Sequence, residues 1–189
     1  MAYTSPIAWS TIEDALVAWV VAATGLTCVW ANADAPQPAY PYVTLDWVTG
    51  PTRVGWDCQT TDTDSGADAG EEVTVNVGGP RMLTLGVNVY SDSDSPTTGA
   101  REYASRIEAS SQLPTEKQRR TTAGIALHAF EPMQDLSTIA GAETISRVAL
   151  DVRLSVASNI TEEPGPYINT IQIGSDDLDY TDKEFGGTT

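Results

Sequence analysis

The stretch VTVNVGGPRMLTLGVNV, Val73 to Val89, decides the fold class. Val73, Val75 and Val77 alternate with polar residues, and Leu83, Leu85, Val87 and Val89 alternate with small or polar ones. A period of two places each set on one face of a strand. Between them, Gly78-Gly79-Pro80 carries turn chemistry, so the stretch is expected to be a hairpin. The same alternation recurs upstream at Val43, Leu45 and Trp47, opposite Tyr42, Thr44 and Asp46. It is longest at Val148, Leu150, Val152, Leu154 and Val156. Ile125 to Phe130 is a further candidate strand, and Ile168, Ile171 and Ile173 suggest a last one.

Helical spacing appears in two places. Ile12, Leu16, Trp19 and Ala23 mark one face, with Gly25 positioned as a left-handed stop. Ser10-Thr11-Ile12-Glu13 has the form of a capping box at its start. Val17, Val20 and Val21 widen the apolar surface, which suits either one deep core or a second packing face toward another subunit. Ala100, Tyr103, Ala104 and Ile107 form the second stripe, with Ser95-Pro96 as its expected start and Leu113-Pro114 as its end. A short polar helix from Glu116 to Thr122, closed by Gly124, is expected to follow.

These elements predict an α+β fold: an antiparallel or mixed β-sheet packed by two main α-helices. A long acidic loop from Asp57 to Gly70 interrupts it. Residues 1–174 are expected to form one domain, and 175–189 an acidic C-terminal tail, disordered or bound to a partner.

Charge narrows the partners. Among 189 residues, 10 are Lys or Arg and 26 are Asp or Glu, a formal net charge of −16. Phosphate neutralisation needs clustered cations, so such a chain is expected not to bind nucleic acid specifically. Two readings of the charge remain open: a solubility or salt adaptation, or an acidic surface along which DNA passes without sticking. The apolar run Ala15 to Ala31 is shorter than a membrane span needs and is interrupted by Thr24, Gly25 and Thr27, so no membrane association is expected. Glu13 and Asp14 precede it without a basic residue, unlike a signal peptide. Cys28 and Cys58 have no metal or redox spacing and are expected to be buried free thiols, with a disulfide as the alternative.

Catalytic chemistry finds little support. His128 is the single histidine, which rules out a His-based metal cluster within one chain, and its place beside Leu127 on a strand points it to solvent. Asp62-x-Asp64-x-Gly66-x-Asp68-x-Gly70-Glu71 resembles a calcium loop in composition but departs from the EF-hand pattern, with glycine one position early and Val73 where glutamate belongs. Asp46 and Asp151 would be the paired carboxylates of a hydrolase, but they read more simply as polar-face strand residues. Lys117, Arg119 and Arg120 form the one basic cluster, expected on an exposed helix face. No catalytic residue, cofactor or metal is assigned.

The stretch VWANADAPQPAYPYVTL, Val29 to Leu45, is stiffened by Pro36, Pro38 and Pro41, each fixing its own φ and biasing the residue before it. With its Trp30 and Asn32, spaced prolines and PYVTL ending, it resembles the start of the tailed-phage neck or tail terminator proteins, also called tail completion proteins. Ser111-Gln112-Leu113-Pro114, Gly124-Ile125-Ala126 and Pro132-Met133-Gln134-Asp135-Leu136 resemble that family's central block. Arg147 to Ser155, Ile160-Thr161-Glu162 and Ile168-x-x-Ile171-x-Ile173 resemble its closing strands. Together these cover Leu26 to Gly174 in the family's order.

The resemblance implies a structural virion protein that assembles in the host cytoplasm. It would form a ring of about six subunits at the neck, terminate the tail tube and join it to the head connector, with DNA passing through the lumen. Self-association and contacts with tube or connector proteins follow from that role. The candidate interface residues are Val17 and Val21 on the first helix, Trp30, Asn32, Pro36, Pro38 and Pro41 in the proline loop, and Trp56 as an aromatic anchor in a polar context. The alternatives are another ring component of neck or tail, such as a connector or tube subunit, and a calcium-dependent binding module.

Overall fold

Helix α1 (Trp9–Thr24) follows the first apolar stripe: Ile12, Leu16, Trp19 and Val20 are buried. Gly25, at φ 73°, ends it as expected, its N–H bonded to the Val21 carbonyl. The capping box does not form. The N-cap is Ala8 with no side-chain cap, and Glu13 instead accepts a hydrogen bond from Trp47 Nε1 at 3.3 Å. A tertiary contact has taken the carboxylate that a local cap would have used.

The structure, a computed structural model, describes residues 6–32, 36–63, 73–92, 97–140 and 143–165. Among these, three helices and eight strands occur in the order α1, β1 (Thr27–Trp30), β2 (Tyr42–Arg53), β3 (Cys58–Thr63), β4 (Val73–Ser91), α2 (Ala100–Ser110), α3 (Pro114–Thr122), β5 (Ile125–Phe130), β6 (Gln134–Asp135), β7 (Thr138–Ala140) and β8 (Glu143–Gly165). The sheet runs β1-β2-β4-β8-β5. β1 lies parallel to β2, while β2 with β4 and β5 with β8 are antiparallel, so the sheet is mixed. The predicted α+β class is what the chain adopts, with the short polar helix as a third.

One helix-facing core binds these elements. Val43 and Leu45 of β2, Leu83 to Val89 of β4 and Val148 to Val156 of β8 meet α1 and the stripe Ala100, Tyr103, Ala104 and Ile107 of α2. Trp19 sits at its centre, fully buried. Its Nε1 donates to Ser110 Oγ at 3.0 Å, and the Arg120 guanidinium lies 5.2 Å from its ring centroid. The chain forms two units: Met1–Thr60 with Asn76–Thr161, which holds the helices and this core, and Thr61–Val75 with Glu162–Thr189. Of the second unit, the described residues are the ends of β3, β4 and β8.

Several local expectations are corrected. Gly78-Gly79-Pro80 does not turn the chain; β4 runs through it unbroken. These glycines serve close approach instead. A Cβ on Gly78 would meet Asn159 Oδ1 and the Ser158 carbonyl at 3.0 Å, and one on Gly79 would collide with the Asp57 carboxylate. Helix α2 starts at Ala100, where the Gly99 carbonyl receives the Glu102 and Tyr103 N–H groups; the expected start at Ser95-Pro96 lies outside the described residues. Pro114 is the proline at a helix start, opening α3. The beginning of the acidic loop is the exposed strand β3. The rest of the calcium-like run, the strand at Ile168 to Ile173 and the tail 175–189 lie outside the described residues.

Candidate interaction surface

Strand β2 changes character half-way. Tyr42 to Trp47 are buried or half-buried, whereas Val48 to Arg53 are all exposed. The register against β4 slips between Trp47 and Thr49 and again between Thr49 and Thr52, which bends the outer half of the strand away from regular pairing. The exposed half leads to Val54, Gly55, Trp56 and Asp57. Gly55, at φ 77°, provides the left-handed residue of this bend. Trp56 is 92% exposed, and Val54, two residues before it, is also open to solvent, as is Val48 further back on β2.

An exposed tryptophan on a loose loop would lose much of its value as an anchor to ordering entropy. Here the loop is clamped. Arg81 grips Asp57 with two parallel hydrogen bonds, Nη1 to Oδ1 at 2.7 Å and Nη2 to Oδ2 at 3.0 Å. Arg53 approaches the same carboxylate at 3.5 Å and lies 5.9 Å from the Trp56 ring centroid. Val54 N–H donates to the Pro80 carbonyl at 3.3 Å. The Arg81 hydrogen bonds, helped by the charges of Arg53 and Arg81, hold the Asp57 carboxyl below the usual carboxylate range. Sequence reasoning singled out Trp56 but not this clamp, whose partners lie 24 residues apart.

The other candidate residues scatter. Val21 is 40% exposed, while Val17 packs against the core. Trp30 stacks on Trp47 at 5.4 Å, and Trp47 meets Trp9 edge-on at 5.6 Å, so Trp30 belongs to a half-buried tryptophan cluster. Asn32 and Pro36 are exposed; Pro38 and Pro41 are half-buried. The proline loop delivers Tyr40 against Tyr42, ring centroids 5.4 Å apart, and Tyr42 in turn stacks on Tyr90 at 4.8 Å, on the sheet face opposite the helices. Arg147 covers Tyr90 at 5.2 Å and donates to Asn88 Oδ1, which in turn donates through Nδ2 to Asp46. Burial and the neighbouring Asp151 charge raise the Asp46 carboxyl above its ordinary value. The strand alternation alone had placed Asp46 and Asp151 on this face.

At the other end of α1 lies a groove of about 330 Å³ walled by Ala22, Ala23, Ala109 and Leu113, with Arg106 and Glu116 among its lining. No feature of the sequence announced it, because small residues on helices register only as good helix formers.

The remaining chemistry is dispersed. His128 is exposed on β5, its Nε2 2.8 Å from Ser155 Oγ. The two cysteines are free, but the expectation that both are buried fails: Cys58 is exposed, and Cys28 is half-buried with its thiol pushed up to about 12 by burial. Arg120 also departs from expectation. It is buried, its Nη2 bonded to the Ser111 carbonyl at 2.6 Å, because its guanidinium closes over Trp19. Among the described residues, no group of three or more His, Cys, Asp or Glu side chains could hold a metal ion, and no helix is long and apolar enough to cross a membrane.

Comparison with curated proteins gives no match. The sequence profile of the family described as phage neck terminator protein matches residues 10–180, which takes in α1 from its second residue onward, the other two helices and every strand described above. The ordered blocks around the proline loop, α3 and β8 therefore carry a family assignment: this chain belongs to the phage neck terminator proteins, structural components of the neck of tailed phage particles.

Proposed function

We propose that this protein assembles into a closed ring of about six subunits at the phage neck, ends the tail tube there and joins it to the head connector. The observation that carries this reading is the clamped arm ending in Trp56, 92% exposed within a family of structural neck proteins. A large aromatic held rigidly in water is the form of an interface anchor. The net charge of −16 supports a lumen that lets DNA slide, because an acidic wall offers phosphate no cations to hold. Assembly takes place in the host cytoplasm, and the subunit works by contact alone, without catalysis, cofactor or membrane. Residues 1–174 act as the assembling domain, and the tail 175–189 is left for a partner at the neck.

The test is copy number and position in purified virions, by quantitative mass spectrometry with electron microscopy of labelled particles. About six copies at the head–tail junction support the ring. Hundreds of copies along the tail would make the protein a tube subunit, and absence from particles would overturn the structural reading.

A further inference from the structure

The arm and the groove lie at opposite ends of the same sheet. Helix α1 ends at Thr24 and passes through Gly25 and Leu26 into Thr27, which pairs with Tyr42 at the start of β2. Ala22 and Ala23 of the groove therefore sit near the beginning of β2. Trp56 lies beyond Arg53, at that strand's far end. Twelve residues of strand separate the two, a span on the order of 35 Å at ordinary strand rise. Within one chain the tryptophan cannot reach the groove.

The two are matched in size and chemistry. A groove of about 330 Å³ is at the small end of sites that enclose a ligand, suited to one large side chain rather than to a helix. Its walls of Ala22, Ala23, Ala109 and Leu113 are apolar, as an indole face requires. Arg106, paired with Glu102 at 3.0 Å and lying over Tyr103, brings a partly exposed guanidinium to the edge where the ring would sit. Glu116, largely buried in the lining and paired with Arg119 at 2.8 Å, is opposite in charge to Arg53, the guanidinium that travels with Trp56.

Resting on the ring reading above, we propose that Trp56 of one copy seats in the Ala22–Ala109–Leu113 groove of the next, with Arg106 against the indole and Arg53 directed to Glu116. The contact is head-to-tail: knob and groove are different surfaces on every copy, which is what a rotationally closing ring needs and a two-fold dimer does not. A tryptophan buries on the order of 200 Å², so it anchors the contact rather than supplying all of it. Exposed Val54, two residues before the knob, and Val21, next to Ala22 of the groove, add apolar surface.

Complementation of two variants of the full chain tests this. Trp56→Ala removes the knob and keeps the groove; Ala109→Trp fills the groove and keeps the knob. Both positions are exposed, so each variant should retain the wild-type melting transition by circular dichroism. Association, followed by sedimentation velocity and mass photometry, should weaken at least about tenfold in each variant alone. Mixed together, they should recover one good contact per pair and stop at dimers, since the knob of one meets only the groove of the other. Leu113→Glu, which adds charge without bulk at an exposed position, should repeat the groove result. Variants that assemble like the wild type would overturn the contact while leaving the ring intact. Loss with Trp56→Ala but not with either groove variant would overturn the groove as the seat. A wild type that stays monomeric at its solubility limit would overturn the ring reading and this contact together.

Discussion

Trp19 and Trp56 carry the same local chemistry at opposite extremes of solvent. Each has an arginine over its ring, Arg120 at 5.2 Å and Arg53 at 5.9 Å. Trp19 is fully buried, its Nε1 satisfied by Ser110, with Phe130 at 6.4 Å. Trp56 touches mostly water. The first is placed by three helices closing on a sheet, the second by a bidentate ion pair that braces a bend. Exposure of so large an apolar group gains the folded monomer nothing, and that is the ground on which Trp56 is proposed as an interface anchor. Helix-side burial makes the fold; the arm makes a surface.

The contrast can be broken most severely at Trp19. Trp19→Ala should cost about 3–5 kcal/mol, from lost burial and the cavity left beneath Arg120 and Phe130. That is a large share of the roughly 5–15 kcal/mol by which domains are stable. Trp56→Ala should stay within about 0.5 kcal/mol of wild type, because nothing is unpacked. Urea denaturation compares them directly. Equal losses would mean that the arm is part of the folding unit and not a surface held in reserve.

A smaller version of the same contrast exists on one turn of α1. Val17 packs on the core and Val21 is 40% exposed. Val17→Asp should destabilise by about 2 kcal/mol or more, since a carboxylate would be pressed against apolar neighbours. Val21→Asp should leave the melting curve within about 0.5 kcal/mol and act on association, because it sets a charge at the edge of the groove. An insoluble Val21→Asp chain would return Val21 to the core.

How far the sequence could have foretold these differences depends on range. Strand alternation at Val148 to Val156, the α1 stripe and the Gly25 stop are local patterns, and each produced the element expected. Gly78-Gly79-Pro80 misled because glycine has two uses, turning and close approach, and the choice between them was made by distant groups, Asp57 against Gly79 and Ser158 with Asn159 against Gly78. Glu13 was likewise drawn from a local cap to Trp47, and Arg120 from a polar run to Trp19. The candidate surface was half legible. Trp56 stood out as a tryptophan among polar residues, whereas its brace to Arg81 and the alanine-walled groove arise only when distant segments meet.

The mildest test of the comparison uses pH, because the arm and the sheet face titrate in opposite directions. Asp57 in the arm has a lowered folded-state pKa, caused first by the Arg81 hydrogen bonds. Its contribution is present above the ordinary carboxylate value and is lost as pH falls through the lower folded one. Asp46 on the sheet face has a raised folded-state pKa, caused first by burial and then by Asp151. Its contribution is present below the ordinary value and is lost as pH rises through the higher folded one. Acidification should therefore release the brace while relaxing the Asp46–Asp151 repulsion. Amide exchange at Val54, whose N–H reaches the Pro80 carbonyl, reports the first, and the Asn88 side-chain amide bonded to Asp46 reports the second. Val54 should lose protection at a pH below the ordinary carboxylate range, whereas the Asn88 signal should shift above it. In Asp57→Asn the Val54 amide should be less protected at neutral pH and lose that acid transition, with Asn88 unchanged. If Val54 keeps its wild-type protection in that variant, the backbone alone holds the bend and the ion pair is incidental to how Trp56 is presented.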